Sequence, residues 1–134
     1  MTQTTELTEQ QRKQNTFDAV WQHSAQMSEQ SKNDKPGSKG GCLYRADNGN
    51  KCFMGALIPD SLYDRHMDFD PEHDSGIDCM LPRFPDLEQY FRDEGYSRDI
   101  HFLDELQGIH DHNFVNREVA LRRLADECDL TVPA

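Results

Sequence analysis

The chain has 134 residues, with 25 Asp and Glu against 14 Lys and Arg and a formal net charge of −11; that length suits one domain with one modest core. Such an excess of carboxylates repels nucleic-acid phosphate and favours basic surfaces, so direct DNA or RNA binding is not expected. No apolar run approaches the roughly 20 residues of a membrane span, and the polar start does not read as a signal peptide, so the sequence predicts a cytoplasmic protein with no membrane partner.

The first fourteen residues, rich in Thr, Gln and Glu, show no apolar periodicity, and the sequence predicts a flexible N-terminus over 1–14 followed by a single domain over 15–134. Asn15 or Thr16 is placed to cap a helix in which Phe17, Val20, Trp21 and Ala25 share a face. Residues 32–41, KNDKPGSKGG, read as a loop; they lack the spacing of a phosphate-binding P-loop. Next come CLYRA and KCFMG, separated by a turn containing Asn48-Gly49, the pattern of a short β-hairpin. Pro59 suits the first turn of a short helix with Leu62 and Tyr63 inward. Residues 64–80 lack a period and read as an acidic loop. A helix is predicted from Pro85 to Gly95 with Leu87, Tyr90 and Phe91 inward. Another follows a Ser97 cap, with Phe102, Leu103, Leu106, Ile109 and His110 as its stripe. The last carries Val119, Leu121, Leu124, Ala125 and Cys128 inward and Arg117, Arg122 and Arg123 outward. The predicted class is therefore α+β: about four to five helices packed on one short β-hairpin. Whether the chain is a monomer or a homodimer is left open.

The charge is unevenly placed. Residues 1–40 hold five acids and five bases, whereas residues 60–105 hold fourteen acids against Arg65, Arg83, Arg92 and Arg98, a net of 4 − 14 = −10. A field so localised selects Asp64, Asp68, Asp70, Glu72, Asp74 and Asp78 as candidate contacts to a basic partner surface.

Calcium, transition-metal and thiol chemistry each need a residue pattern that the sequence only partly supplies. Asp68, Asp70, Glu72 and Asp74 alternate like calcium ligands, but the loop positions that an EF-hand reserves for Gly and Glu hold His73 and Cys79. The histidines and cysteines show neither H-E-x-x-H nor paired C-x-x-C, so no metal or cofactor is expected. Cys42, Cys52, Cys79 and Cys128 read as buried thiols, with Cys42 and Cys52 facing each other across the predicted hairpin. A nucleophilic Cys52 would need His110 as base and Asp111 or Asp60 to orient it.

Residues 51–63, KCFMGALIPDSLY, preceded by CLYR and followed by FLDELQGIHD at 102–111, resemble a family of small uncharacterised bacteriophage and prophage proteins with KCxxGxLIPDxxY and LxxLQxIHD motifs. The resemblance spans about Phe17 to Leu130, and the acidic stretch between Tyr63 and Leu81 departs from it. It implies a viral setting in a host-cell cytoplasm and no particular activity.

The sequence is thus compatible with two functions. The first is a non-catalytic acidic phage-type accessory protein that binds, and thereby inhibits, a host protein through its basic surface, as a counter-defence or host-takeover factor or a nucleic-acid mimic. The second is a small enzyme or ligand-binding protein whose pocket, lined by Cys52, Asp60, Tyr63, Gln107, His110 and Asp111, lies where the hairpin, the IPD turn and the LQGIHD helix meet.

Overall fold

The computed structural model describes residues 7–31, 43–46, 49–69 and 77–133, except for the side chain of Cys79. Helix α1 runs Glu9–Gln26 and starts from Thr8, whose hydroxyl accepts from the Gln11 N–H while the Gln11 side chain accepts from the Thr8 N–H. That capping box satisfies two of the helix's free donors. The helix therefore begins upstream of Asn15 and inside the stretch expected to be flexible. Its first turns are polar because polar contacts hold them: Gln10 donates to the carbonyls of Cys128 and Asp129, Gln14 pairs with both backbone groups of Thr131, and Arg12 reaches the carbonyls of Arg92 and Tyr96. Phe17 and Val20 then bury completely.

The α+β expectation is corrected by the region after it. Among the described residues there is no β-strand; the arms 43–46 and 49–53 meet in one isolated antiparallel bridge between Arg45 and Lys51. The predicted β-hairpin is a turn, and the class is mainly helical. A ladder does not propagate because its edge groups are taken by side chains from elsewhere. The Asp68 carboxylate accepts from the N–H groups of Tyr44 (2.7 Å) and Arg45 (3.1 Å), and the Ser31 hydroxyl bonds the carbonyls of Leu43 (2.7 Å) and Asn50 (3.2 Å). The chain then winds into a 3-10 turn at Gly55–Leu57. A Cβ at Gly55 would lie 2.0 Å from the Tyr44 carbonyl oxygen, so this close approach requires glycine.

A second 3-10 turn, Arg65–Met67, is capped by the Asp64 carboxylate. Helix α2, Ile77–Arg83, occupies the end of the stretch read as an acidic loop; Ile77, Met80 and Leu81 are buried, at helical spacing. Helix α3, Pro85–Glu94, has proline in its first turn and stops at Gly95 in the left-handed conformation (φ 79°), the asymmetry that proline and glycine impose on helix ends. Helix α4, Ile100–His112, is capped by Asp99, which accepts from the Phe102 N–H. Ser97, the expected cap, instead accepts from the Asp99 N–H. Helix α5, Arg117–Glu127, buries Leu121, Leu124 and Ala125, while Val119, expected inside, is 58% exposed.

One core joins these elements. Phe17 and Val20 of α1, Phe53, Met54 and Leu57 of the turn, Met80 of α2, Leu87 and Phe91 of α3, Leu103 and Leu106 of α4 and Leu121 of α5 are each at most 2% exposed. Each such side chain contributes about 1.5–3 kcal/mol by leaving water. Helix α1 packs on the Gly55–Leu57 turn and on α5, and α4 packs on α2 and α5. Residues 51–63 and 102–111 are thereby brought together, Met54 donating to Gln107.

Candidate functional site

The LxxLQxIHD block places Gln107, His110 and Asp111 on the face of α4 that looks at the turn. His110 is fully buried, edge-on to Phe53 (5.4 Å between ring centres) and Phe114 (5.5 Å). Its Nε2 lies 3.1 Å from the Ser31 N–H, which can only donate, so Nε2 is the acceptor. Nδ1 then carries the proton and donates to Asp111 Oδ1 at 2.8 Å. Gln107 donates to the same carboxylate oxygen (2.9 Å) and accepts from the Met54 N–H (3.0 Å). Gln30 closes the group by donating to the carbonyls of His110 (2.6 Å) and Asp111 (3.1 Å). This network ties the segment after α1, the turn and α4 into one unit.

The KCxxGxLIPDxxY block is organised around Asp68. Besides the two backbone donors, its carboxylate accepts from the Tyr63 hydroxyl at 2.6 Å. Arg45 lies 4.7 Å over the Tyr63 ring and donates to the Ile58 carbonyl (2.8 Å). Arg45 also pairs with Asp60 at 2.7 Å, and Lys51 stands 3.8 Å from the same carboxylate. The Asp60 side chain is 84% exposed, so this pair contributes little to stability. Burial pushes the Tyr44 and Tyr63 phenols well up from their ordinary range, and Asp68 adds to both shifts.

Cys52 is fully buried, and burial pushes its thiol well above the ordinary range. The Gly55 N–H donates to its sulfur at 3.2 Å, and Gln107 lies beside it. A thiol so placed stays protonated at neutral pH and is a poor nucleophile. His110, the base that such a nucleophile would need, already uses both ring nitrogens. Of the six residues proposed to line a pocket, Cys52, Tyr63, Gln107, His110 and Asp111 thus sit in hydrogen bonds within the protein, and Asp60 lies outside on the surface.

Of the six carboxylates proposed as partner contacts, Asp64 and Asp78 are exposed and Asp68 is the internal hub just described. Asp64 is held below the usual carboxylate range by the N–H and ring of His66. Asp70, Glu72 and Asp74 lie outside the described residues, as do Cys42 and residues 32–41. To Asp78, which the sequence reading singles out, the helices add five further acids that it does not. Asp78, Asp86, Asp93, Glu94, Asp104 and Glu105 on α2, α3 and α4 are all exposed, and Arg92 is the only exposed Lys or Arg on those helices. Ser31 and Gln30 were missed as well, because single polar residues beside a Gly- and Lys-rich stretch carry no periodic signal.

Among the described residues no group of three or more His, Cys, Asp or Glu converges as a metal site, and no helix is long and apolar enough to cross a membrane. Comparison with protein-family models, with curated proteins and with solved structures finds no match for the chain.

Proposed function

We propose that the chain is a non-catalytic binding protein that docks its acidic helices on a basic surface of another protein. The observation that supports this reading is the division of polar groups: Tyr63, Gln107, His110 and Asp111 are used internally, whereas six carboxylates on α2–α4 stand in solvent against one exposed arginine. Opposed charge of that kind speeds encounter and makes association salt-sensitive, while packed apolar contacts supply most of the affinity. The resemblance to phage proteins adds the setting, in which the partner is a host protein and its occupation inhibits it. A nucleic-acid mimic is the form of this reading in which the basic surface normally takes phosphate. The alternative, a ligand pocket between the turn, the IPD segment and α4, is disfavoured because its polar lining bonds to itself.

The test is a pull-down from host lysate at low and high salt, with wild-type chain and with a variant carrying D78N, D93N, E94Q and D104N. A captured protein with a basic surface, lost at high salt and in the variant, is the expected result. Capture unchanged by the amides would sink the proposal.

A further inference from the structure

A cleft of about 340 Å³ opens between α1 and α5, away from the acidic helices, lined by Trp21, Ser24, Ala25, Val115, Arg117, Glu118 and Leu121. Its volume is within the range of ligand clefts, about 300–1,000 Å³. The apolar walls are Trp21, Ala25 and Val115, with the buried Leu121 beneath them. Val115 is 91% exposed, and Val119, one turn further along, is 58% exposed. These valines are two of the three large apolar side chains that the described residues leave in water; Leu7 is the third.

The charges beside the cleft run against those of the whole chain. The Arg117 guanidinium is fixed by the carbonyls of Ser24, Met27 and Phe114 and by the Ser24 hydroxyl, and stacks 4.1 Å from the Phe114 ring. Those partners are carbonyl and hydroxyl dipoles from the end of α1 and from Phe114, not carboxylates, and among the described residues no acid lies within ion-pair distance of it. Arg122 lies 5.0 Å over the Trp21 ring, and Glu118 approaches it only at 4.0 Å. Arg117, Glu118 and Arg122 therefore sum to +1 at the mouth of an aromatic cleft, on a chain of net charge −11.

We infer that the α1–α5 cleft is a second docking site, which takes a bulky apolar side chain flanked by carboxylates from an acidic segment of a partner protein. The apolar side chain would enter against Trp21, Ala25 and Val115, and the carboxylates would meet Arg117 and Arg122. The exposed valines widen the apolar surface beyond the cleft, which favours a peptide segment over a compact small molecule. A second copy of this chain is a poorer occupant, because its acidic helices offer no large exposed apolar side chain to enter the cleft. The inference is independent of the docking role given to the acidic helices, since a basic partner there and an acidic segment here occupy different surfaces.

The experiment pans a random dodecapeptide library on the intact chain and measures each selected peptide by the emission of Trp21, the only tryptophan in the sequence. Peptides with a large apolar residue between Asp or Glu are expected. They should bind about tenfold or more weakly to V115S/V119S and to R122E, and unchanged to the D78N/D93N/E94Q/D104N variant. Both valines are exposed, so their replacement leaves the core intact, and thermal unfolding of each variant confirms that it is folded. The inference is overturned if the selected peptides are basic, if they bind V115S/V119S as tightly as wild type, or if no peptide is enriched. It is also overturned if sedimentation shows a dimer that V115S/V119S abolishes, which would make a second copy the occupant.

Discussion

Beside the turn that follows α1, Asp68 accepts from two backbone N–H groups and a tyrosine hydroxyl, whereas on α3 Asp93 accepts from the neighbouring Gln89 and Glu94 faces solvent. One residue type does two jobs, and the surroundings decide which. Removing a carboxylate that satisfies half-buried donors leaves those donors without partners, and the fold weakens. Removing one that water already solvates leaves the fold unchanged and alters only the field that a partner meets. Perturbing the two regions should therefore separate stability from binding.

The largest effect is expected at Gly55. An alanine there would drive its methyl carbon to 2.0 Å from the Tyr44 carbonyl oxygen, a backbone overlap that no side-chain rotation relieves. Gly55→Ala should cost about 3 kcal/mol or more in urea unfolding; a variant as stable as wild type would show that the turn does not pack in this way. Next comes His110→Leu, which fills a similar volume but leaves the buried Ser31 N–H without its acceptor. The expected loss is about 2–3 kcal/mol, with amide exchange at Ser31 and Leu43 accelerating more than in α3. Asp68→Asn keeps the shape and turns an acceptor into a donor facing N–H groups; about 1.5–2 kcal/mol is expected, since hydrogen bonds to charged groups carry roughly that much.

These positions also show what was readable beforehand. The buried faces of α1, α3 and α4 follow from Phe17 and Val20, Leu87 and Phe91, and Phe102, Leu103 and Leu106, because apolar spacing is a local signal. The ends of α3 follow from Pro85 and Gly95. The start of α1 did not follow from periodicity, although Thr8 and Gln11 spell a capping box: the turn from Glu9 to Asn15 is held by polar bonds to Gly95, Tyr96 and Thr131, which lie far along the chain. The hairpin failed for the same reason. Asn48-Gly49 signals a reversal, and the arms 43–46 and 49–53 do run antiparallel, but Asp68 and Ser31 occupy the edges that a ladder needs. Ile77, Met80 and Leu81 carried a helical spacing that the surrounding acids masked. The histidine and glutamine of LQGIHD were visible as unusual, yet whether they faced each other or a ligand depended on Ser31 and Met54, which no spacing connects to them.

Alkaline pH tests the buried junction without mutation. Burial holds the Cys52 thiol protonated in the folded chain, while the unfolded thiol ionises near its ordinary value of 9.0. Above that pH the unfolded state has lost a proton that the folded state keeps, so stability falls as pH rises, by up to about 1.4 kcal/mol per unit for each such group. Tyr44 and Tyr63, also pushed upward, should join above 10.0. The urea midpoint should therefore decline from about pH 9 and more steeply past pH 10. Cys52→Ala should flatten the first part of that decline; the same slope in wild type and variant would place the responsible groups elsewhere.

The smallest effect on stability belongs to Glu94→Gln, and its sign is the informative part. Glu94 ends α3, where the helix dipole already presents partial negative charge, so a carboxylate there opposes the helix by about 0.3–1 kcal/mol. The amide should leave the urea midpoint equal or slightly higher, while weakening capture of a basic partner at low salt more than at high salt. On the proposed reading, an acid that the fold would rather lose, beside exposed Asp93 on the same helix end, serves a partner. If the amide instead destabilised the chain and left capture untouched, Glu94 would belong with Asp68 among the carboxylates that build the structure, and the division between the two regions would fail at the residue where it makes its clearest claim.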